Sequence, residues 1–184
     1  MELRKTSIPG CFEIFPKVLQ DERGFFVKTF HEGLFAENGL ATHFAEEYYT
    51  FSRRNVLRGL HFQLPPHDHA KLVYCIAGEV LDAVVDLRVG SPVYGRFETF
   101  TLSAEKSNMI YIPSGLAHGF YVAGSHALLV YHVTTAYSPE HDAGIHWNSA
   151  GIPWPGGAPI LSKRDSAFLP LNEFKSPFKD HSGI

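Results

Sequence analysis

Cysteine is nearly absent from this chain: its 184 residues include only Cys11 and Cys75. Two thiols cannot build a disulfide framework, no CxxC pair points to zinc, and Cys75, inside KLVYCIAG, reads as a buried free thiol. A block of Lys and Arg is also missing, and the formal net charge is -3. That excludes nucleic acid as a main partner, because backbone binding needs clustered cations. No apolar run is long enough to span a bilayer, and MELRKTSIPG has no apolar signal core. A cytoplasmic enzyme or binding protein with no membrane partner is therefore expected. No internal repeat or low-complexity linker divides the chain. Its length suits one domain, taken as 1–184 with a core at about 21–170.

Aromatic residues are plentiful, with 15 Phe and 8 Tyr, and the 11 histidines are many for this length. Gly and Pro punctuate the chain at short intervals, and the segments between them are rich in Val, Ile, Tyr, Phe and Thr, the pattern of an all-β sandwich or barrel. Strands are expected at 25–30, 43–51, 56–62, 71–77, 80–87, 94–102, 109–112, 119–122 and 127–134, with a tight hairpin turn at Ala77 and Gly78. One or two helical turns are read in HEGLFAENGL, ended by Asn38 and Gly39. Beyond Tyr137 the chain reads as loop, and the tail from Asn172 as either a short helix or a frayed end.

Alternation assigns faces. In EVLDAVVDLR, Leu81, Ala83, Val85 and Leu87 share one face, and Val80, Asp82, Val84 and Asp86 the other. Leu129, Tyr131 and Val133 fall together, as do Lys71, Val73 and Cys75. In VLRGLHFQ, Arg58 and His61 have opposite parity, and a bulge at Gly59 would bring them to one side. A small antiparallel jelly roll holding a ligand accounts for polar groups set among Leu57, Leu60 and Phe62. Arg58, His61 and Lys71 around one pocket would suit an anionic ligand or a developing oxyanion.

Other chemistries fit less well. His67-Asp68-His69 has the HxH form of a cupin metal site, but no Glu follows at the cupin spacing. Only Pro113, Gly115 and His118 of IPSGLAHGF match the second cupin box. No bound metal is expected, and His67 and His69 are read as a solvated loop. Ser114 lacks a GxSxG elbow, and neither cysteine has a His at a telling spacing. General acid–base work falls to His61, Lys71, His118, Tyr131 and Asp165, each of which could equally serve the core.

Taken in order, DERGFF, NVLRGLHFQ, KLV, GEVLDAVVDLR, SPVYG, LSAE, IPSGLAHGF, TTAYSPE, GIPWP and LSKRD resemble the dTDP-4-keto-6-deoxyglucose (dTDP-4-dehydrorhamnose) 3,5-epimerase family from about Asp21 to Asp165. The resemblance implies a cupin-type jelly-roll β-sandwich with short flanking helices. It also implies a homodimer with strand exchange near the N-terminus, no metal and no organic cofactor. The substrate would be a nucleotide-diphosphate 4-keto-6-deoxy sugar for deoxysugar, O-antigen or polysaccharide synthesis. His61 resembles the family's base, Asp165 the carboxylate paired with it, Tyr131 the acid on the opposite face, and Lys71 the group near the C4 oxygen. Asp82 and His118 would line the same pocket. Arg23, reaching in from the partner subunit, Arg58 and Arg164 resemble diphosphate or sugar contacts, and Tyr137 the aromatic that stacks on the nucleotide base. Phe26, Lys28, Glu46, Tyr48, Gln63 and Asp142 fall at further substrate-binding positions.

Several of these depart from the family pattern. Lys28 stands where a Glu is usual, Glu46 and Tyr48 where Gln and Asn are usual, and Asp142 where a Glu is usual. The changes at Lys28, Glu46 and Tyr48 suggest a nucleotide other than thymidine, with CDP first. A C3-only epimerase of a CDP-linked sugar, a 3,4-ketoisomerase and a non-catalytic sugar- or metal-binding cupin are the competing readings.

Overall fold

The computed structural model describes residues 1–180. Twelve strands follow in chain order: β1 Glu2–Lys5, β2 Phe12–Phe15, β3 Val18–Asp21, β4 Gly24–Val27, β5 Glu46–Arg53, β6 Leu57–Gln63, β7 Lys71–Asp86, β8 Phe97–Ser103, β9 Met109–Ile112, β10 Leu116–Tyr121, β11 His126–Val133 and β12 Asp142–Gly144. One helix, α1 (Glu32–Glu37), lies between β4 and β5. It is capped by His31, whose ring accepts the Leu34 N–H, and it closes at Asn38 ahead of Gly39 in a left-handed conformation (φ 70°), as the sequence suggests.

β7 joins two antiparallel layers. Its first half pairs with β9 and β11, and its second half with β8 and β10. The first layer continues to β2 and β1 on one side and to β5 on the other; the second continues through β6 to β12. The expected hairpin at Ala77 and Gly78 is therefore corrected: the strand does not turn back but passes from one sheet to the other. Gly78 sits at this corner with φ 77°, and a Cβ there would lie 2.1 Å from the His126 carbonyl oxygen. Side-chain-free, positive-φ backbone is what such a corner requires.

Between the layers lies a core that includes Val73, Cys75, Val80, Val84, Phe120, Leu129 and Tyr131. The outer face of the β6–β10 layer carries Leu60, Phe62, Ala83, Val85 and Leu87, covered by Ile152, Trp154 and Phe178 from the C-terminal segment. The outer face of the other layer is covered by α1 through Phe35, against Ile14, Leu72 and Met109. Both faces of the β6–β10 layer are thus buried, which explains why VLRGLHFQ is apolar on one side and polar on the other. The predicted alternation of Asp82 against Ala83 and Val85 holds.

Other expected bounds shift. The strand read at 25–30 is only β4, paired with the unforeseen β3 in a separate hairpin. β1, β2 and β12 have no counterpart among the expected strands. Strands expected at 43–51, 94–102 and 119–122 lie at β5, β8 and β10. The segment after Asn172 forms no helix among the described residues; Phe178 is buried, and Lys179 bridges to Val89. Packing exceeds the expected 21–170 core at both ends, since Ile8, Cys11, Ile14 and Phe178 are buried. Among the described residues no helix is long and apolar enough to cross a membrane.

Candidate active site

The two polar residues of VLRGLHFQ meet through an inserted residue. Arg58 pairs with Phe120 and His61 with His118, so β6 takes three steps where β10 takes two. The extra residue flips parity and puts both side chains into one cavity of about 360 Å³. Only glycine fits at the bulge. Gly59 has φ 140°, and a Cβ there would lie 2.6 Å from the Cα of Gly119.

The bulge frees an amide for a second task. The Gly59 N–H donates to Asp165 Oδ2 at 3.1 Å, and His61 Nε2 lies 2.9 Å from Asp165 Oδ1. Ser162 Oγ donates to the same Oδ1 at 2.7 Å and accepts the Asp165 N–H at 3.0 Å, so the LSKRD turn fixes its own carboxylate. Burial alone would raise the Asp165 carboxyl. The hydrogen bonds from His61, Ser162 and Gly59 outweigh it and hold the group well below its ordinary range. An ionised Asp165 needs a donor, so Nε2 carries the His61 proton and Nδ1 keeps the free lone pair. Burial lowers the His61 pKa, against the pull of Asp165, and the Arg164 and Lys71 cations lower it further. The ring is thus neutral near pH 7, as a base should be.

Lys71 opens β7 and is buried, with Nζ 3.5 Å from the His61 carbonyl oxygen. Burial brings its pKa down to about 8, with Asp142 and Asp82 opposing. It remains mostly an ammonium at pH 7. Tyr131, on β11, is buried, and burial pushes its phenol well above its ordinary value, with the nearby Thr50 hydroxyl acting the other way. His118 pairs with Asp82 at 2.7 Å, both buried. Asp82 does not line the cavity as expected: it lies behind His118, and one of its oxygens has no partner.

At the rim, Tyr137 is exposed, its hydroxyl donates to Asp142 at 3.2 Å, and its N–H donates to Glu46 at 3.0 Å. Arg164 contacts Asp142 and comes within 3.0 Å of His61 Nε2; with the ring proton on Nε2 both groups are donors, so Arg164 acts on the ring through its charge and not as a hydrogen-bond partner. Arg58 is pinned by Ser52 at 2.9 Å. Gln63 lines the cavity but is buried and ties the His67 carbonyl and the Ser138 N–H together, at 2.8 and 2.6 Å.

The N-terminal group is placed elsewhere. Arg23, Phe26 and Lys28 lie on or beside the β3–β4 hairpin, outside the residues that line the cavity. Arg23 pairs with Asp21 at 2.6 Å, and Phe25 and Phe26 are 70% and 59% exposed. His69, expected in a solvated loop, instead lines the cavity beside Lys71, and burial takes its pKa down to about 3. A signal for it was present: the alternation through Cys75, Val73 and Lys71, run back two residues, reaches His69. Among the described residues no group of three His, Cys, Asp or Glu side chains is placed to hold a metal ion.

Residues 5–173 match the family described as dTDP-4-dehydrorhamnose 3,5-epimerase. A dTDP-4-dehydrorhamnose 3,5-epimerase of Shigella flexneri is 42% identical over 168 residues, 90% of this chain and 93% of that one. A dTDP-4-dehydrorhamnose 3-epimerase of Streptomyces niveus is 40% identical over 94% of this chain and 85% of its own. Among solved structures, a dTDP-6-deoxy-D-glucose-3,5-epimerase from Legionella pneumophila, in complex with dTDP-4-keto-L-rhamnose, superposes with a TM-score of 0.90 at 38% identity, covering 95% of this chain and 94% of that one.

Proposed function

This chain belongs to the dTDP-4-dehydrorhamnose 3,5-epimerase family, and on that footing we propose how it epimerises a nucleotide-linked 4-keto-6-deoxyhexose for deoxysugar synthesis, without a cofactor. The observation that carries the mechanism is the gathering of His61, backed by Asp165, with Lys71 and Tyr131 in one cavity. His61 Nδ1 takes the proton from the carbon next to the C4 ketone. The electron pair moves onto the C4 oxygen, and the Lys71 ammonium, in a water-poor site, stabilises that enolate. Tyr131 returns a proton to the opposite face, which inverts the carbon. Arg58 and Arg164 supply fork-shaped donors for the diphosphate, and Tyr137 offers an exposed ring to the base. Asp82 acts through His118 rather than on the sugar.

The nucleotide is dTDP, as in the names of the relatives. Glu46 and Tyr48 face the cavity, whereas Lys28 does not reach it within the same protomer, so the case for CDP rests on the two former residues. The enzyme works in the cytoplasm as a homodimer, the exposed apolar side of the β3–β4 hairpin seating against a second copy. Sedimentation of a monomer at micromolar concentration would refute the dimer.

Proton NMR in deuterated water, with dTDP- and CDP-4-keto-6-deoxyglucose side by side, tests the chemistry. Deuterium at C3 and C5 identifies a 3,5-epimerase, and deuterium at C3 alone a 3-epimerase. No exchange with either nucleotide would overturn the proposal.

A further inference from the structure

We propose that Tyr48 is a positioning residue for Tyr131 and sets how often the enolate is reprotonated from the inverting face. This rests on the epimerase reading above.

Tyr48 is the direct cross-strand partner of Tyr131 in the β5–β11 ladder. Partners of this kind have Cβ atoms about 5 Å apart on one face of the sheet. The two rings lie parallel, with centroids 4.9 Å apart and planes at 13°. On another side, the His118 ring meets Tyr131 at 6.2 Å and 66°. Tyr131 is thus held between the face of one ring and the edge of another. The burial is unequal: Tyr131 is 5% exposed and Tyr48 41%. Tyr48 is therefore the outer plate that covers the acid. Among the described residues β5 pairs with no strand but β11, so none supports this wall of the cavity from outside. At this position an amide side chain is expected from the family pattern, and an amide cannot stack over the whole phenol ring.

The consequence follows from proton accounting. His61 removes the proton and becomes an imidazolium, and the pair remains on the substrate as an enolate. If His61 returns a proton, now exchanged with solvent, the carbon keeps its configuration. If Tyr131 donates instead, a C–H bond forms on the other face and a phenolate is left. Tyr131 then regains a proton from water and His61 loses one to water, restoring both groups. The ratio of inversion to exchange with retention reports how well Tyr131 is aimed. A group that only shaped the cavity would change binding or total rate and leave this ratio alone.

The test uses the full-length protein with dTDP-4-keto-6-deoxyglucose in deuterated water. Deuterium in recovered substrate is counted against deuterium in epimerised product. Tyr48→Asn should lower the ratio of inversion to retention by about two- to tenfold, the range that one aromatic pair supports. Tyr48→Phe keeps the stack and should retain the wild-type ratio. In a Tyr131→Phe background, where little inversion remains, Tyr48→Asn should have no further effect on the ratio. An unchanged ratio in Tyr48→Asn, with a raised KM alone, would make Tyr48 a nucleotide contact and overturn the inference. So would a lowered ratio in Tyr48→Phe. If Tyr48→Asn does not fold, the Phe variant and a Tyr48→Leu variant, which keeps bulk and loses the stack, carry the same comparison. Absence of exchange in the wild type would instead refute the epimerase reading itself.

Discussion

Replacing Asp165 with asparagine changes no more than one atom's identity, yet it should disable the base. The carboxylate accepts four hydrogen bonds: from Gly59 N at Oδ2, and from Ser162 Oγ, His61 Nε2 and, at 3.4 Å, Arg164 Nε at Oδ1. An amide has one oxygen and one NH2 to place among them. If its oxygen takes the Oδ1 position, the NH2 faces the Gly59 N–H, donor against donor, and a buried amide goes unpaired at about 1–3 kcal/mol. The favoured orientation puts the oxygen on Gly59 and the NH2 on His61. Nε2 must then accept, so the ring proton moves to Nδ1, the nitrogen that should take the substrate proton. Loss of a general base costs about 10²–10⁴-fold, or roughly 3–5 kcal/mol in the barrier at 1.36 per decade. Initial rates of deuterium entry at C3, at saturating substrate and pH 7.5, measure it. KM should change little, because Asp165 does not line the cavity. The reasoning fails if Asp165→Asn exchanges within about threefold of wild type while circular dichroism shows an intact fold.

The pH–rate profile should rise through a His61 pKa below 6.5 and fall near 8 as Lys71 loses its proton; Lys71→Met should lose the alkaline limb along with about 10²-fold or more of the rate. The same lysine has a stability signature. Its folded pKa, about 8, lies below the unfolded 10.5, so between these values the unfolded chain binds more protons and stability rises with pH, by at most about 3 kcal/mol; urea titrations of wild type and Lys71→Met across that window should diverge accordingly. Gly59→Ala should destabilise the protein by about 2–6 kcal/mol, combining backbone strain at φ 140° with the clash against Gly119, and its residual exchange should fall about 100-fold as His61 shifts. Phe35→Ala should cost about 3–5 kcal/mol in urea denaturation, since the ring is fully buried under α1, and leave the exchange ratio unchanged at low urea because α1 contributes no residue to the cavity.

The parts of this molecule that were legible in the sequence are those governed by alternation. β7 and β11 are legible because their apolar residues recur with period two, and β9 because MIYI is a continuous apolar run; the inward set of Val80, Asp82 and Val84 follows from the period in β7. α1 was readable from its closing Asn38-Gly39. β1, β2, β3 and β12 are not, because strands of three or four residues with mixed polar and apolar side chains carry too few positions to establish a period. Asp165 opens a single 3-10 turn, Asp165–Ala167, where no periodicity relates it to His61, 104 residues earlier. Only the family's LSKRD motif pointed to it. Lys28 shows the opposite case: a change conspicuous in sequence lies just after β4, outside the residues that line the cavity.

What the period-two rule does not supply on its own is convergence, and here two insertions provide it. In β7, Lys71, Val73 and Cys75 face the interior at odd positions, but Val80, Asp82 and Val84 face it at even ones. The change of parity occurs at Ile76, where β7 holds one residue more than β11, just before the Gly78 corner. Without that residue the second half of the strand would present Leu81, Ala83 and Val85 to the interior and Asp82 to the outer apolar layer. In β6 the extra residue at Gly59 does the same for Arg58 and His61. Each bulge also leaves something exposed or unpaired: Ile76 stands 53% exposed, and the Gly59 amide leaves the ladder. The Gly59 amide is taken up by the carboxylate that orients the base. A regular jelly roll of this sequence length would have an apolar interior. Two single-residue slips, each adjoining or containing a glycine, are enough to turn a cation, an imidazole and a carboxylate inward while the flanking apolar residues keep both layers packed.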